Sequence, residues 1–154
     1  MRVSEEHIHL YVQGGNGTEP VHAMRIADTR YRVLSSPGFV LGVAAGDEIE
    51  LLTSDGQFRV LRHGGNVAVQ FYSKESVQGY REWVAAQVVE KLNGILDGSI
   101  DRGLVFTIPV GTGFEKIESF FDSLVRGLPG TQWIYGNVYD PDTGAPLEWW
   151  RPSK

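Results

Sequence analysis

The chain has no cysteine, only two methionines, and no apolar run near the roughly 20 residues that span a bilayer. The missing cysteines exclude disulfides, thiolate zinc sites and thiol nucleophiles. The start, MRVSEEHIHL, lacks the apolar centre of a secretory signal, so the expected location is the cytoplasm, with no membrane partner. Basic residues are in deficit, 14 Lys and Arg against 19 Asp and Glu, for a formal net charge of −5. Phosphate backbones are held by basic surfaces, so nucleic acid is not an expected partner. A protein partner, if there is one, is expected to be basic. No G-x-S-x-G elbow occurs, and no Lys-Ser/Thr follows a glycine-rich turn as in a P-loop. No repeat, linker or low-complexity tract interrupts the 154 residues, a length that buries one core or two small lobes sharing an interface.

What is abundant is glycine, at 19, together with seven Phe, six Tyr and four Trp. Many glycines suit many tight turns, and hence many short strands. Ile8, Leu10 and Val12 alternate with polar neighbours, the period of a half-buried strand. Val21–Ile26 and Tyr31–Leu34 flank a four-residue connection and predict a hairpin, with Tyr31 and Val33 on the inner face. After Ser35-Ser36-Pro37-Gly38, the patch Phe39, Val40, Leu41 and Val43 is expected to plug one end of a small barrel. Gly46-Asp47 turns into the strand Glu48–Leu52, the glycine supplying a positive φ and the carboxylate accepting backbone N–H groups. Ser54-Asp55-Gly56 is a hairpin turn, and Gln57–His63 is expected to pair with Val67–Tyr72 across Gly64-Gly65.

Beyond Ser73 the period changes. Val77, Tyr80, Val84, Val88, Leu92 and Ile95 recur at helical spacing, with Ser73 or Ser76 as cap and Asp97-Gly98 as stop. Leu104–Val110 reads as a strand. Thr112 and Glu115 fit a capping box before a helix with Ile117, Phe120, Phe121, Leu124 and Leu128 on one side. Trp133–Tyr139 reads as the last strand. The expected fold is α+β: a small antiparallel β-barrel or curled sheet over residues 1–72, then an α/β lobe over 73–154. That second lobe has two helices and resembles a ferredoxin-like split βαβ half.

Four constellations bear on chemistry. His7 and His9 share one strand face about 7 Å apart, close enough to share a metal given a third ligand from Glu5, His22 or His63. The plainer reading is a solvent-facing pair, and no metal, cofactor or catalytic set is assigned. Histidine is the residue type suited to acid–base work near neutral pH, so His22 and His63 invite pairing with Asp47 or Asp55, without a spacing that fixes it. Gly14-Gly15-Asn16-Gly17 and Gly111-Thr112-Gly113 are better read as turns than as anion cradles. The fourth is the aromatic and acidic C-terminal third. Trp133, Tyr135, Tyr139, Trp149 and Trp150, beside Asp140, Asp142 and Glu148, form the candidate partner-binding set. Glu115, Glu118 and Asp122 add charge nearby.

Residues 19 to 52 carry a resemblance. Glu19-Pro20-Val21-His22-Ala23, Asp28-Thr29-Arg30-Tyr31-Arg32-Val33, Ser35-Ser36-Pro37-Gly38-Phe39 and Gly42-Val43-Ala44-Ala45-Gly46-Asp47-Glu48-Ile49 follow one pattern. It resembles that of a family of small bacterial proteins known as domain of unknown function 4265, with His22 standing where the family more often has Trp. The resemblance supplies no catalytic residues. Its small, uncharacterised members are compatible with proteins encoded beside polymorphic toxins. The expectation is therefore an immunity protein, not an enzyme, that neutralises a cognate toxin such as a basic nuclease by covering its active site. The alternatives are a small-ligand regulatory module using a barrel mouth near Phe39, His22 and His63, and a metal-dependent enzyme built on His7 and His9.

Overall fold

In the computed structural model, which describes residues 5–14 and 17–151, the chain is α+β, with two antiparallel sheets and two helices. Gly15 and Asn16 of the glycine-rich loop, the first four residues and the last three of the tail lie outside the described residues. The first sheet is a meander in the order β1 (Glu5–Tyr11), β2 (Thr18–Arg25), β3 (Arg30–Val33), β4 (Glu48–Leu51), β5 (Phe58–Arg62). Strand alternation builds it as expected. Ile8, Leu10, Tyr31, Val33 and Ile49 are buried, while Arg30 and Arg32 face outward.

The meander curls but does not close into a barrel. Its first strand meets the β4–β5 turn through one backbone bond, in which Tyr11 N–H donates to Gly56 O at 2.9 Å. Only glycine fits there, because a Cβ on Gly56 would fall 2.4 Å from His9 O. Val40 and Val43 plug the curl, as anticipated, whereas Phe39 turns out toward Tyr72.

The second sheet has the order β7 (Ile95–Ile100), β8 (Gly103–Pro109), β6 (Asn66–Ser73), β9 (Thr131–Tyr135). With α1 (Arg81–Leu92) between β6 and β7, and α2 (Phe114–Gly127) between β8 and β9, this is a complete βαββαβ unit rather than half of one. Both helices cover one face of the sheet. Val69, Phe71, Phe106 and Ile108 pack there against Val84, Val88, Ile117 and Phe121. Burying each of these large side chains contributes on the order of 2–3 kcal/mol.

Several local expectations are corrected. β5 does not pair with the following strand. It pairs with β4, and the chain leaves the first sheet at His63-Gly64-Gly65 to begin β6 in the second. A Cβ on Gly64 would lie 2.4 Å from the Gly46 carbonyl carbon, so the crossing depends on glycine against glycine. α1 begins at Arg81 without a side-chain cap and ends at Asn93, whose φ is 56°. Ser73 and Ser76 instead accept N–H bonds from Glu75 and Gln78 within the preceding turns. Ile95 and Asp97-Gly98 belong to β7, where a register shift between Leu96 and Gly98 absorbs the break. Thr112 caps no helix: its hydroxyl donates to Leu92 O at 2.7 Å, and α2 starts from Gly113. The last strand stops at Tyr135, and Tyr139 forms a lone bridge with Pro146.

The segment 34–46 joins the two sheets. Gly42 N–H donates to Gly136 O at 2.7 Å, Asn66 Nδ2 to Ala45 O at 2.8 Å, and buried Gln70 Nε2 to Pro37 O and Val40 O. Asp47, fully buried, accepts N–H bonds from Ala44 at 3.0 Å and Gly64 at 2.8 Å, the structural role expected of it.

Candidate binding face and interlobe cleft

β9 turns Trp133 and Tyr135 toward α2 by its pleat, and α2 meets them with carboxylates. Trp133 Nε1–H donates to Asp122 and the Tyr135 hydroxyl to Glu118, each at 2.9 Å. Burial, and then the bond to Glu118, pushes the Tyr135 phenol well above its ordinary range. The rings continue outward. Phe121, Trp133, Tyr135, Phe114, Trp150, Trp149 and His63 follow one another with centroids 4.9 to 5.6 Å apart.

Two adjacent tryptophans cannot enter one core from a strand, and here neither is in a strand. Glu148, at φ 62°, bends the chain so that Trp149 lies flat on His63 while Trp150 meets the edge of Phe114. Trp149 Nε1–H donates to Asn137 O at 2.8 Å. Both tryptophans, with Trp133 and Tyr135, are half-buried, and Tyr139 is 47% exposed.

The charges around this row differ from those of the first sheet. There, Glu6 meets Arg25, Glu48 meets Arg32 and Glu50 meets Arg59, at 3.2, 2.9 and 2.7 Å. Near β9, Glu115, Glu118 and Asp122 line one flank of α2, and Asp140 and Asp142 crown the next loop. None of these five pairs with a basic side chain among the described residues. Glu148 meets only its neighbour Arg151, at 3.3 Å. The Asp140 carboxylate accepts the N–H groups of Asp142 and Thr143, which hold its pKa below the usual carboxylate range. The result is a band of uncompensated negative charge over half-buried aromatic rings.

A separate cleft of about 420 Å³ opens where β1, β2 and the 35–39 loop face β7 and β8. Its floor is Asp97, which accepts bonds from Ser36 N–H at 2.7 Å and from the Thr107 hydroxyl. Burial raises the Asp97 pKa, against the opposing pull of those two donors. Glu19 accepts three successive N–H groups, from Gly38, Phe39 and Val40. Tyr72 Oη lies 2.8 Å from both Gly38 O and Gln70 Oε1, and burial, then the Glu19 charge, pushes its pKa up to about 12.

His22 and Phe39 line this cleft, but His63 does not. It stands beside another hollow of about 520 Å³, with its Nδ1 3.5 Å from buried Asp47 and without a hydrogen-bond partner. The barrel-mouth grouping of these three residues is thereby corrected. His7 stacks on His22, across the strand pair, at 5.3 Å. His9 Nδ1 lies 3.5 Å from Thr18 Oγ1. Among the described residues no three His, Asp or Glu side chains converge as metal ligands.

None of Asp97, Tyr72, Ser36 and Thr107 stands out in the sequence as a site residue: Asp97 reads there as a helix stop and Ser36 as part of a loop. The available signal was Gln70 and Thr107, polar residues inside otherwise apolar strand runs, which is where a sheet covered on both faces meets a polar joint.

The fold defines a class: a curled five-stranded meander docked on a βαββαβ lobe. A hypothetical protein from Neisseria gonorrhoeae, known from its crystal structure, is similar, with a TM-score of 0.64 and 13% identity over 88% of this chain and 95% of that one. At that identity the likeness is one of fold alone. The chain belongs to the family described as Domain of unknown function (DUF4265), whose pattern matches residues 19–128. No curated protein matches it. Among the described residues no helix is long and apolar enough to cross a membrane.

Proposed function

We propose that the chain is a protein-binding immunity protein that neutralises a cognate bacterial toxin by covering its active site. The observation that carries this reading is the band of unpaired carboxylates over the aromatic row formed by α2, β9 and the 139–151 segment. Interfaces draw their affinity from aromatic anchors and their speed and selectivity from complementary charge. Nucleases surround their active sites with Lys and Arg to hold phosphates, so a basic nuclease is the toxin class this face fits. The chain acts as a binding protein rather than an enzyme, and cytoplasmic nuclease targets set its place of action.

The test is co-expression with candidate toxin domains taken from the genes on either side. Protection of the cells, and co-purification of the two chains, support the reading. Growth arrest despite soluble expression of both argues against it.

The cleft favours a second reading, a small-ligand module, because His22, Phe39 and Tyr72 line a hollow of a size suited to a metabolite. Ligand-dependent thermal stabilisation, abolished by filling the cleft with Ser99→Trp, would distinguish it.

A further inference from the structure

α2 has a second flank, opposite in character to the acidic one. β6 and β7 run parallel, both antiparallel to β8, so α1 and α2 run antiparallel on the sheet. The bond from Thr112 to Leu92 O ties the end of α1 to the start of α2. Between the helices lies a groove of about 620 Å³. Its walls are mainly apolar and include Phe120, Leu128 and Trp83, the last 59% exposed.

The charges lining this groove are Lys91, at the end of α1, and Lys116, at the start of α2. Antiparallel helices put both lysines at one end. Neither pairs with a carboxylate among the described residues, although the protein as a whole is acidic. The opposite end is closed by Tyr80, eleven residues before Lys91, or roughly 16 Å at the rise of an α-helix. The Tyr80 hydroxyl is buried and has no hydrogen-bond partner.

We infer that this groove binds a free single-chain anionic amphiphile, a fatty carboxylate, with its head between Lys91 and Lys116 and its tail running along Trp83 and Phe120 toward Tyr80. Charge complementarity selects the head. A cationic end on a mainly apolar trough of this length, with only the neutral polar Gln87, Ser119 and Ser123 besides, gives the occupant a direction. A basic or neutral occupant would leave the two lysines unpaired. The site is separate from the acidic face and independent of the toxin reading.

The experiment uses the full chain, titrated with dodecanoate, dodecanol and dodecylammonium below their micelle thresholds and followed by calorimetry and tryptophan emission. The expected result is saturable one-to-one binding of dodecanoate, at least tenfold tighter than the other two. Lys91→Glu with Lys116→Glu should abolish that preference; both positions are exposed, and an unchanged far-ultraviolet circular dichroism spectrum checks that the variant folds. Trp83→Phe should remove most of the emission change. Tyr80→Phe should leave affinity equal or improved, because it removes an unpartnered hydroxyl from the tail end. Equal binding of the three amphiphiles, or indifference to the charge reversal, overturns the inference. So does a tenfold loss in Tyr80→Phe, which places the head at the other end. Dimerisation through the groove, lost in Trp83→Ala, also overturns it.

Discussion

Replacing Asp47 by Ala tests how the two sheets are held in register. The carboxylate is fully buried and accepts the N–H groups of Ala44, in the 34–46 segment, and of Gly64, in the crossing itself. Each hydrogen bond to a charged acceptor is worth about 1.5–3 kcal/mol, and each buried N–H left without a partner costs about 1–3 kcal/mol. These describe the same loss from two sides, so the expected destabilisation is about 3–5 kcal/mol, a large share of a typical total of about 5–15. At a urea dependence of about 2 kcal/mol per molar, the midpoint should fall by roughly 1.5–2.5 M. Asp47→Asn, which keeps one accepting oxygen and turns an amide donor toward the other N–H, should fall between. Because Gly64 follows His63, on which Trp149 lies, near-ultraviolet circular dichroism should change as well. A loss below about 1 kcal/mol in Asp47→Ala, with the spectrum intact, refutes the idea that this carboxylate fixes the crossing.

Other expectations follow from the same geometry. Gly64→Ala should destabilise by at least the ~1–3 kcal/mol of an overpacked site, since its Cβ meets Gly46 backbone rather than a yielding side chain; chemical denaturation measures it. Asp97 has a raised pKa when folded, so its neutral form is favoured in the native state and stability from this group is lost as pH rises through the folded value. Asp97→Asn should flatten the fall in stability that begins above pH ~4, where the unfolded carboxyl ionises, as read from urea midpoints across pH. Tyr72 holds its proton to about 12, whereas an unfolded tyrosine releases it near ~10. Native protein therefore binds more protons in that window and loses stability as pH rises through it, and phenolate absorbance should show Tyr72 ionising late, or only on unfolding.

Much of the first sheet was legible because alternation and turn chemistry are local. Tyr31 and Val33 reported their face, Gly46-Asp47 its turn, and Ser54-Asp55-Gly56 the next hairpin. What a period of two cannot report is which strand lies alongside. β5 and β6 are adjacent in sequence and both regular, yet they belong to different sheets, and only the packing of Gly64 on Gly46 reveals the crossing. Helical spacing misled at both ends of α1. Val77 is buried from a turn, and Ile95 lies on a strand whose bulge tolerates Asp97-Gly98. Thr112 had the spacing of a cap, which would accept a backbone N–H, but its hydroxyl instead donates to Leu92 O.

The candidate face was partly visible as composition. The sequence placed aromatic and acidic residues in one third of the chain. It did not show that Glu118 and Asp122 hold the polar ends of Tyr135 and Trp133. Nor did it show that Glu6, Glu48 and Glu50 of the first sheet meet arginines while Glu115, Glu118, Asp122, Asp140 and Asp142 meet none among the described residues. The cleft around Asp97 was invisible, because its members come from five strands and a loop far apart in the chain.

The central claim is recognition of a basic toxin through the α2–β9 face. The direct measurement is protection of cells expressing a candidate toxin domain taken from a neighbouring gene, compared between two double variants of equal charge change. Glu115→Lys with Asp142→Lys reverses charge on the face at exposed positions. Asp28→Lys with Glu75→Lys does so away from it. The account predicts that the first pair loses protection, with slower and less salt-sensitive association, while the second protects like the parent chain. Equal protection by both pairs, or equal loss, would contradict it.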